Sequence, residues 1–245
     1  MGRAIISALA GDPAFLHVGS FGRQGRSDGD GLVDRSVAME TADVILDFST
    51  ATAAAELAEL CAAQPHPALV IGATGFEPEE LAAISKAAQR IAVVRSSNFS
   101  IDLNMLLGLV AQAAADLPAE SWDIEILEAH HRKKVDAHSG TALMLGEAAA
   151  HGWDVPLASV ERRGRDGLTG ERPAGEIGFS VLRGGGIVGD HSAIFAAAEE
   201  VVTLSHSALD RSMFARGALA AARWVVGRAP GEYDMQDVLG LSRRA

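Results

Sequence analysis

Residues 123–143 read DIEILEAHHRKKVDAHSGTAL, and this stretch decides how the second half of the chain is interpreted. Ile124 and Ile126 alternate with acidic residues, which is typical of a half-buried strand. The strand leads into the basic run 130–134, and Ser-Gly-Thr at 139–141 then opens an apolar helix. Because the first N–H groups of a helix have no intrahelical partner, they can bind an anion. The stretch therefore predicts a site for a small carboxylate- or phosphate-bearing molecule, with histidine or lysine available to move a proton.

The basic run could also be an ordinary solvated loop, which is the commoner meaning of such a charge cluster. Two features favour a site. The whole chain of 245 residues has a formal net charge of −11, so the cluster opposes the overall balance. The order strand, basic loop, Ser-Gly-Thr, helix is also more specific than a count of charges.

Composition excludes several classes of function. The acidic balance and an aromatic content of 5% disfavour a nucleic-acid-binding surface. No run of about 18 apolar residues predicts a membrane helix, and the first residues do not resemble a signal peptide. Cys61 is the one cysteine, so an internal disulfide is impossible. We expect a cytoplasmic protein that has no nucleic-acid or membrane partner.

Apolar strands alternate with helices in the first hundred residues, which predicts a parallel sheet covered on both faces. The segments 15–21, 44–48, 68–72 and 91–94 are the predicted strands. Beyond Asp123 the pattern changes to α+β with a mixed sheet, and GGG at 184–186 predicts a hairpin between two strands. The predicted fold class is α/β, with a dinucleotide-binding domain at 1–100 and 211–245 and a second domain at 101–210.

Residues 128–142, EAHHRKKVDAHSGTA, resemble the signature of the 4-hydroxy-tetrahydrodipicolinate reductase family, formerly called dihydrodipicolinate reductase. The family usually has Pro where this chain has His138. Shorter family-like motifs are DFS at 47–49, GATGF at 72–76, SNFS at 97–100, RGGGIVGDH at 183–191 and DVL at 237–239. The resemblance covers nearly all of the chain. It implies a nicotinamide-dependent reductase of bacterial lysine and diaminopimelate synthesis, with a Rossmann-like cofactor domain and a substrate domain that also builds a homotetramer.

The resemblance also implies roles for individual residues. His130 would be the proton donor or acceptor, and Lys134 would assist it. His131, Gly140 and Thr141 would bind a small dicarboxylate substrate. The reaction would remove water from a hydroxylated ring and deliver a hydride to the resulting double bond. Arg183 and His191 are weaker candidates, for which we favour a structural role in the sheet.

The cofactor site is predicted at the carboxyl ends of the parallel strands. Its candidate residues are Gly2, Arg3, Arg23, Gly72, Ala73, Thr74, Ser97, Asn98 and Phe99. Gly22 stands where many family members carry an acidic residue. Because a carboxylate there would repel a 2′-phosphate and Arg23 can attract one, we expect NADPH to be preferred over NADH, although the family often accepts either.

Rossmann folds begin with a strand and a Gly-rich loop, whereas this sequence begins inside the helix that should follow them. MGRAI at 1–5 resembles the end of the family's Gly-Arg-Met-Gly-Arg segment. We therefore expect the first strand and most of the phosphate loop to be missing, and we favour a misassigned start codon over a true truncation. Poor cofactor binding by the chain as written would follow.

Two alternatives compete with the reductase, and a metal site is a further interpretation of the basic loop. One is another nicotinamide-dependent reductase, such as an amino-acid dehydrogenase, which the Ser-Gly-Thr helix start beside two histidines disfavours. The second is a degenerate copy with impaired cofactor binding. The metal site would be made of His130, His131, Asp136 and His138. Because adjacent strand residues point to opposite sides, we expect no metal.

Overall fold

The structure is a computed structural model that describes residues 1–22, 32–64 and 67–241. The chain forms two compact units, the first made of Met1–Ile101 and Ser212–Ala245 and the second of Asp102–Arg211. The fold class is the predicted one, a Rossmann-like parallel sheet with helices and a second, mixed sheet.

The first unit has a four-stranded parallel sheet in the order β1-β2-β3-β9. Its strands are β1 (Val44–Asp47), β2 (Ala68–Ile71), β3 (Ala92–Arg95) and β9 (Gly231–Tyr233). Its helices are α1 (Gly2–Leu9), α2 (Arg35–Thr41), α3 (Ala51–Ala62), α4 (Pro78–Ala87), α8 (Ser212–Val225) and α9 (Met235–Leu239).

The residues at the start of two of these helices explain where the helices begin. Thr50 precedes α3, and its hydroxyl accepts a hydrogen bond from Ala53 N at 3.4 Å. Pro78 occupies the first turn of α4, where its missing N–H has no cost. Cys61 on α3 is fully buried as a small core residue, as predicted, and its burial raises the pKa of the thiol to about 12.

The second unit has a five-stranded mixed sheet in the order β5-β6-β4-β7-β8. Its strands are β4 (Asp123–His130), β5 (Glu161–Arg162), β6 (Ile177–Arg183), β7 (Asp190–Ala196) and β8 (Val201–Ser207). Its helices are α5 (Ile101–Asp116), which starts at the last residue of the first unit, α6 (Gly140–Gly152) and α7 (Leu157–Val160).

Strand β4 buries one face and exposes the other. Ile124 and Ile126 are fully buried in a cluster with Leu145 and Ala149 of α6. Because side chains alternate along a strand, Glu128 and His130 must lie on that same face. The opposite face carries Leu127, which is 39% exposed. The alternation thus delivers a carboxylate and an imidazole to the helix-covered side of the sheet.

The strand predicted at 15–21 is wrong. The described part of this segment contributes only an isolated bridge between Ser20 and Leu32, with Val33 N donating to Ser20 O at 2.8 Å. A strand needs a continuous ladder of backbone partners, and an apolar pattern alone does not supply one. Among the described residues, the ladder of the first sheet ends at β1.

The hairpin predicted around 184–186 is also wrong. β6 and β7 do flank the three glycines, but β4 lies between them, parallel to β6 and antiparallel to β7. The glycine segment therefore crosses over the end of β4, where Gly184 N donates to His130 O at 2.9 Å. The true hairpin joins β7 to β8. No helix in the described ranges combines the length and apolarity that crossing a membrane requires.

Candidate active site

A fully buried carboxylate, Glu128, is the centre of the site in the second unit. Its Oε1 accepts from Arg183 Nη2 at 2.7 Å and from Ser139 N at 3.0 Å. Its Oε2 accepts from Arg183 Nη1 at 2.8 Å and lies 2.5 Å from His130 Nδ1. Four donors therefore surround two oxygens, which is the condition under which a charged carboxylate can remain inside a protein.

The charge of Glu128 follows from these partners. Burial alone would raise its pKa, but the hydrogen bonds from Arg183, His130 and Ser139 N outweigh burial and lower the pKa from 4.5 to about 2. Glu128 is therefore ionised at neutral pH and can only accept hydrogen bonds. It follows that His130 donates through Nδ1, because an ionised carboxylate has no proton to offer in return.

Ser139 ties this carboxylate to helix α6 and to a second histidine. Its hydroxyl accepts from Ala142 N at 3.2 Å as the cap of α6, and it lies 3.0 Å from His191 Nε2. Burial lowers the pKa of His191 to about 4, with a smaller contribution from His130. His191 is therefore neutral, and its ring meets that of His130 edge-on with 5.0 Å between centroids.

Lys134 is held in the loop after β4. Its Nζ lies 2.8 Å from the Asp136 carboxylate, and the Asp136 backbone O accepts from Arg183 Nη2 at 2.9 Å. Since Arg183 also pairs with Glu128, one chain of polar contacts connects Lys134 to His130. The two residues predicted as catalytic are thus linked through Asp136, Arg183 and Glu128.

The predicted substrate residues surround the start of α6. Gly140 is the first residue of the helix and Thr141 the second, so their N–H groups precede the first intrahelical bond. His131 is half-buried, and its Nδ1 has no hydrogen-bond partner in the described ranges. His138, beside the cap, packs edge-on against Phe179 with 5.0 Å between ring centroids.

The residues predicted to bind cofactor through the first sheet share its carboxyl edge. A cavity of about 540 Å³ at this edge is lined by Ser49, Thr50, Ala51, Thr52, Gly72, Ala73, Thr74, Gly75, Glu77 and Glu80. Gly72 is required there, because a Cβ at this position would collide with the Phe48 ring. Three of the predicted residues, Gly72, Ala73 and Thr74, thus line one cavity.

Ser97, Asn98 and Phe99 follow β3, the next strand of the same sheet. The Asn98 side chain accepts from Ser100 N at 2.8 Å, which shapes this turn. Phe99 is buried, with its ring centroid 5.3 Å from that of Phe48. The aromatic pair joins the turn after β3 to the motif after β1, so both lie at the carboxyl edge.

The chemistry of the cavity fits the uncharged parts of a dinucleotide. Glu80 accepts from Glu77 N at 2.9 Å and from Thr52 Oγ1 at 2.7 Å, and these bonds lower its pKa. An ionised carboxylate on the wall would repel a phosphate but can accept a bond from a ribose hydroxyl. Small residues in the lining, such as Gly72 and Ala73, leave room for a ring.

The remaining predicted cofactor residues lie elsewhere. Gly2 and Arg3 are exposed on the first turn of α1. Arg23 lies outside the described residues. In the described ranges no group of three or more His, Cys, Asp or Glu side chains is arranged to hold a metal ion.

Sequence reasoning missed the role of Glu128 and its contacts with Ser139 and Arg183. The signal for Glu128 was available, because residues 124, 126, 128 and 130 share one strand face, and a carboxylate on an apolar face needs partners. Its main partner, Arg183, is 55 residues away in sequence. Since β6 was placed in a hairpin with β7, its pairing with β4 was not anticipated.

The two units together define a class of protein, the two-domain α/β enzymes that combine a dinucleotide-type parallel sheet with a mixed-sheet domain carrying acid–base residues. Two family models match consecutive parts of the chain. Residues 1–99 match "Dihydrodipicolinate reductase, N-terminus", and residues 102–239 match "Dihydrodipicolinate reductase, C-terminus". The chain belongs to the dihydrodipicolinate reductase family.

Similar proteins agree with this assignment. The chain is 58% identical to the 4-hydroxy-tetrahydrodipicolinate reductase of Caulobacter vibrioides over 99% of its length and 94% of the relative's. It is 47% identical to that of Acidiphilium cryptum over 98% and 94% of the two chains. A dipicolinate-bound dihydrodipicolinate reductase from Paenisporosarcina sp. TG-14 has the same fold, with a TM-score of 0.78 at 23% identity over 96% and 94% of the two chains.

Proposed function

We propose that this chain reduces 4-hydroxy-tetrahydrodipicolinate to tetrahydrodipicolinate with a nicotinamide cofactor, as a step of lysine and diaminopimelate synthesis. The observation that carries the proposal is the contact set of Glu128, which joins His130 to the cap of α6. An acid–base group and an anion-binding helix start are thereby linked through one side chain. Similarity over 94% of the length of two reductases favours this function over a degenerate copy.

The residues of the second unit bind and protonate the substrate. One substrate carboxylate accepts from the N–H groups of Gly140 and Thr141 and from the threonine hydroxyl. Lys134 and His131 add positive charge and a ring donor beside the basic loop. His130 supplies the proton that balances the hydride, and solvent then reprotonates it.

The residues of the first unit hold the cofactor. Gly72, Ala73 and Thr74 would contact its nicotinamide end together with Ser97, Asn98 and Phe99, while Gly2 and Arg3 would lie near the pyrophosphate. When bound, the cofactor supplies a hydride. The small side chains of this edge allow close approach, and the aromatic pair of half-buried Phe48 and buried Phe99 supports them.

The proposal is tested by substrate-dependent oxidation of NADPH or NADH. His130→Gln should lower kcat by about 10²–10⁴-fold with little change in KM, because it removes a proton transfer made in the transition state. Thr141→Val should instead raise KM for substrate and weaken inhibition by dipicolinate, because one donor to a carboxylate is lost. An unchanged kcat for His130→Gln, or a Thr141→Val defect confined to cofactor affinity, would refute these roles.

We further propose that NADPH is preferred over NADH. The support is the sequence after residue 21, where Gly22 removes a carboxylate and Arg23 offers a charge-assisted bond to a 2′-phosphate. The wild type should show the higher kcat/KM with NADPH, and Arg23→Ala should reduce the ratio of the two values. A ratio that Arg23→Ala leaves unchanged would show that Arg23 does not read the 2′-phosphate.

The proposed assembly is a homotetramer built through the open face of the second sheet. Leu127, Leu182 and Val201 lie on this face with exposures of 39%, 49% and 62%. A second copy could cover such apolar surface. Light scattering should give about four times the chain mass of 25.5 kDa, and Leu182→Arg should lower it. We also propose a cytoplasmic location, for which the single buried thiol of Cys61 is the support.

A further inference from the structure

His130 and His191 are neighbouring imidazoles with different surroundings. His191 is neutral, and its Nε2 is occupied by the Ser139 hydroxyl at 3.0 Å. His130 has Nδ1 against an ionised carboxylate at 2.5 Å. Of these two rings, only that of His130 is hydrogen-bonded to a negative charge, the Glu128 carboxylate, which can balance the positive charge of a protonated imidazole.

The orientation of His130 is fixed by the partners of Glu128. The carboxylate cannot swing with the ring, because Arg183 holds both of its oxygens and Ser139 N holds Oε1. An ionised carboxylate favours the ring form that donates from Nδ1, as in other sites where a carboxylate fixes a histidine. In the neutral ring the nitrogen without a proton is then Nε2.

The space beside Nε2 is kept clear by a glycine. A Cβ at Gly189 would lie 3.1 Å from His130 Nε2 and 3.4 Å from its Cδ2. The backbone φ of Gly189 is not in the left-handed region, so conformation does not demand glycine at this position. The close approach of such a Cβ to Nε2 gives a reason for glycine at position 189.

We propose that Glu128 is a positioning residue, which with Arg183 holds His130 so that Nδ1 keeps its proton and Nε2 alone exchanges a proton with the substrate. The inference rests on the proposed role of His130. In the protonated ring both nitrogens carry hydrogen. Nε2 gives its proton to the substrate, the ring becomes neutral with hydrogen on Nδ1, and solvent restores the proton to Nε2. Glu128 stays ionised throughout.

The tautomer can be measured without turnover. Protein labelled with ¹⁵N-histidine is studied by NMR at a pH where the His130 ring is neutral, and His130→Gln identifies the signals by their loss. The wild type should show a protonated Nδ1 and an unprotonated Nε2. A ring protonated at Nε2 would overturn the inference even if His130 proves essential for turnover.

Glu128→Gln supplies the kinetic test, because an amide can donate to Nδ1 as well as accept from it. This variant should lower kcat by at least about 10-fold with a smaller change in KM, and it should lose the fixed tautomer. Combined with His130→Gln it should add little, because both changes disable one unit. Independent, additive losses would mean that Glu128 acts through something other than His130.

Glu125→Gln is the matched control. Glu125 is on the same strand and also pairs with arginines, its Oε1 lying 2.9 Å from Arg165 Nη1, but it points to the opposite face. At an assembly mass that light scattering shows to be unchanged, its kcat and its His130 spectrum should equal those of the wild type. If Glu128→Gln behaves like Glu125→Gln, the role of Glu128 is only structural and the inference fails. If Glu128→Gln does not fold, the wild-type spectrum decides alone.

Discussion

Two carboxylates near strand ends, the buried Glu128 on β4 and the half-buried Asp47 on β1, show how hydrogen-bond partners decide the pKa of an acid that is removed from water. Glu128 has four donors, and its pKa falls to about 2 despite burial. Asp47 has one oxygen that accepts from Ser49 N at 3.2 Å, while its Oδ2 is buried without a partner in the described residues. Burial therefore raises the pKa of Asp47, and the Ser49 bonds do not offset it.

The different surroundings of the two carboxylates suit different chemistry in the two units. Around Glu128 the protein maintains a fixed negative charge, which can orient a histidine and balance its protonation. Asp47 has a single hydrogen-bonded oxygen and stands two residues before Ser49, which lines the cavity together with small residues, hydroxyl side chains and two glutamates. The first arrangement suits proton transfer, and the second suits the binding of a largely uncharged group.

The largest expected effect comes from breaking the arginine pair of Glu128. Arg183→Met leaves a fully buried carboxylate without its main counter-charge, so the free energy of unfolding should fall by roughly 3–5 kcal/mol. Urea unfolding followed by far-UV circular dichroism measures it. The control is Arg95→Met, whose Nη2 lies 2.6 Å from Glu232 at a half-exposed site and should cost less than about 1 kcal/mol. Equal losses would show that burial does not distinguish the pairs.

Sequence patterns predicted most elements of both units because each depends on local information. The alternation in 123–130 gave β4, and the apolar segments before Ser49, Gly72 and Ser96 gave three parallel strands. Ser139-Gly140-Thr141 gave the start of α6. These features need only the side-chain period, the caps and the turn residues.

The errors arose where distant segments must pair. The strand at 15–21 was apolar enough, but an apolar period does not reveal whether a neighbouring strand is available. The hairpin was inferred from three glycines, and β4 inserts between the two strands. The Glu128–Arg183 pair was not predicted for the same reason. Its geometry depends on the β4–β6 ladder, in which His130 lies opposite Arg183.

A smaller effect is expected when the space beside His130 is filled. Gly189→Ala should lower kcat by less than about 10²-fold, because the Cβ meets Nε2 and the clamped ring can shift only by tenths of an ångström. Gly186→Ala is the control in the same crossover, since a Cβ there meets nothing within 4 Å. Steady-state kinetics compare the two variants. If kcat falls equally in both variants, the cause is a change in the loop and not the contact of the Cβ with Nε2.

The smallest effect is expected at Asp47, where the sign of the pH dependence is opposite to that at Glu128. The pKa of Asp47 is raised in the folded state, so its contribution to stability is present below the unfolded value of 3.8 and is lost as pH rises through the folded value. Asp47→Asn should therefore stabilise the protein at neutral pH, by no more than about 1 kcal/mol, and the gain should vanish in acid.

The pKa of Glu128 is lowered, so its contribution to stability is present above 4.5 and is lost as pH falls toward about 2. Urea unfolding between about pH 3 and pH 7 should show the Asp47→Asn difference growing with pH as a gain and the Glu128→Gln difference growing with pH as a loss. Parallel slopes for the two variants would mean that the carboxylates have equivalent surroundings.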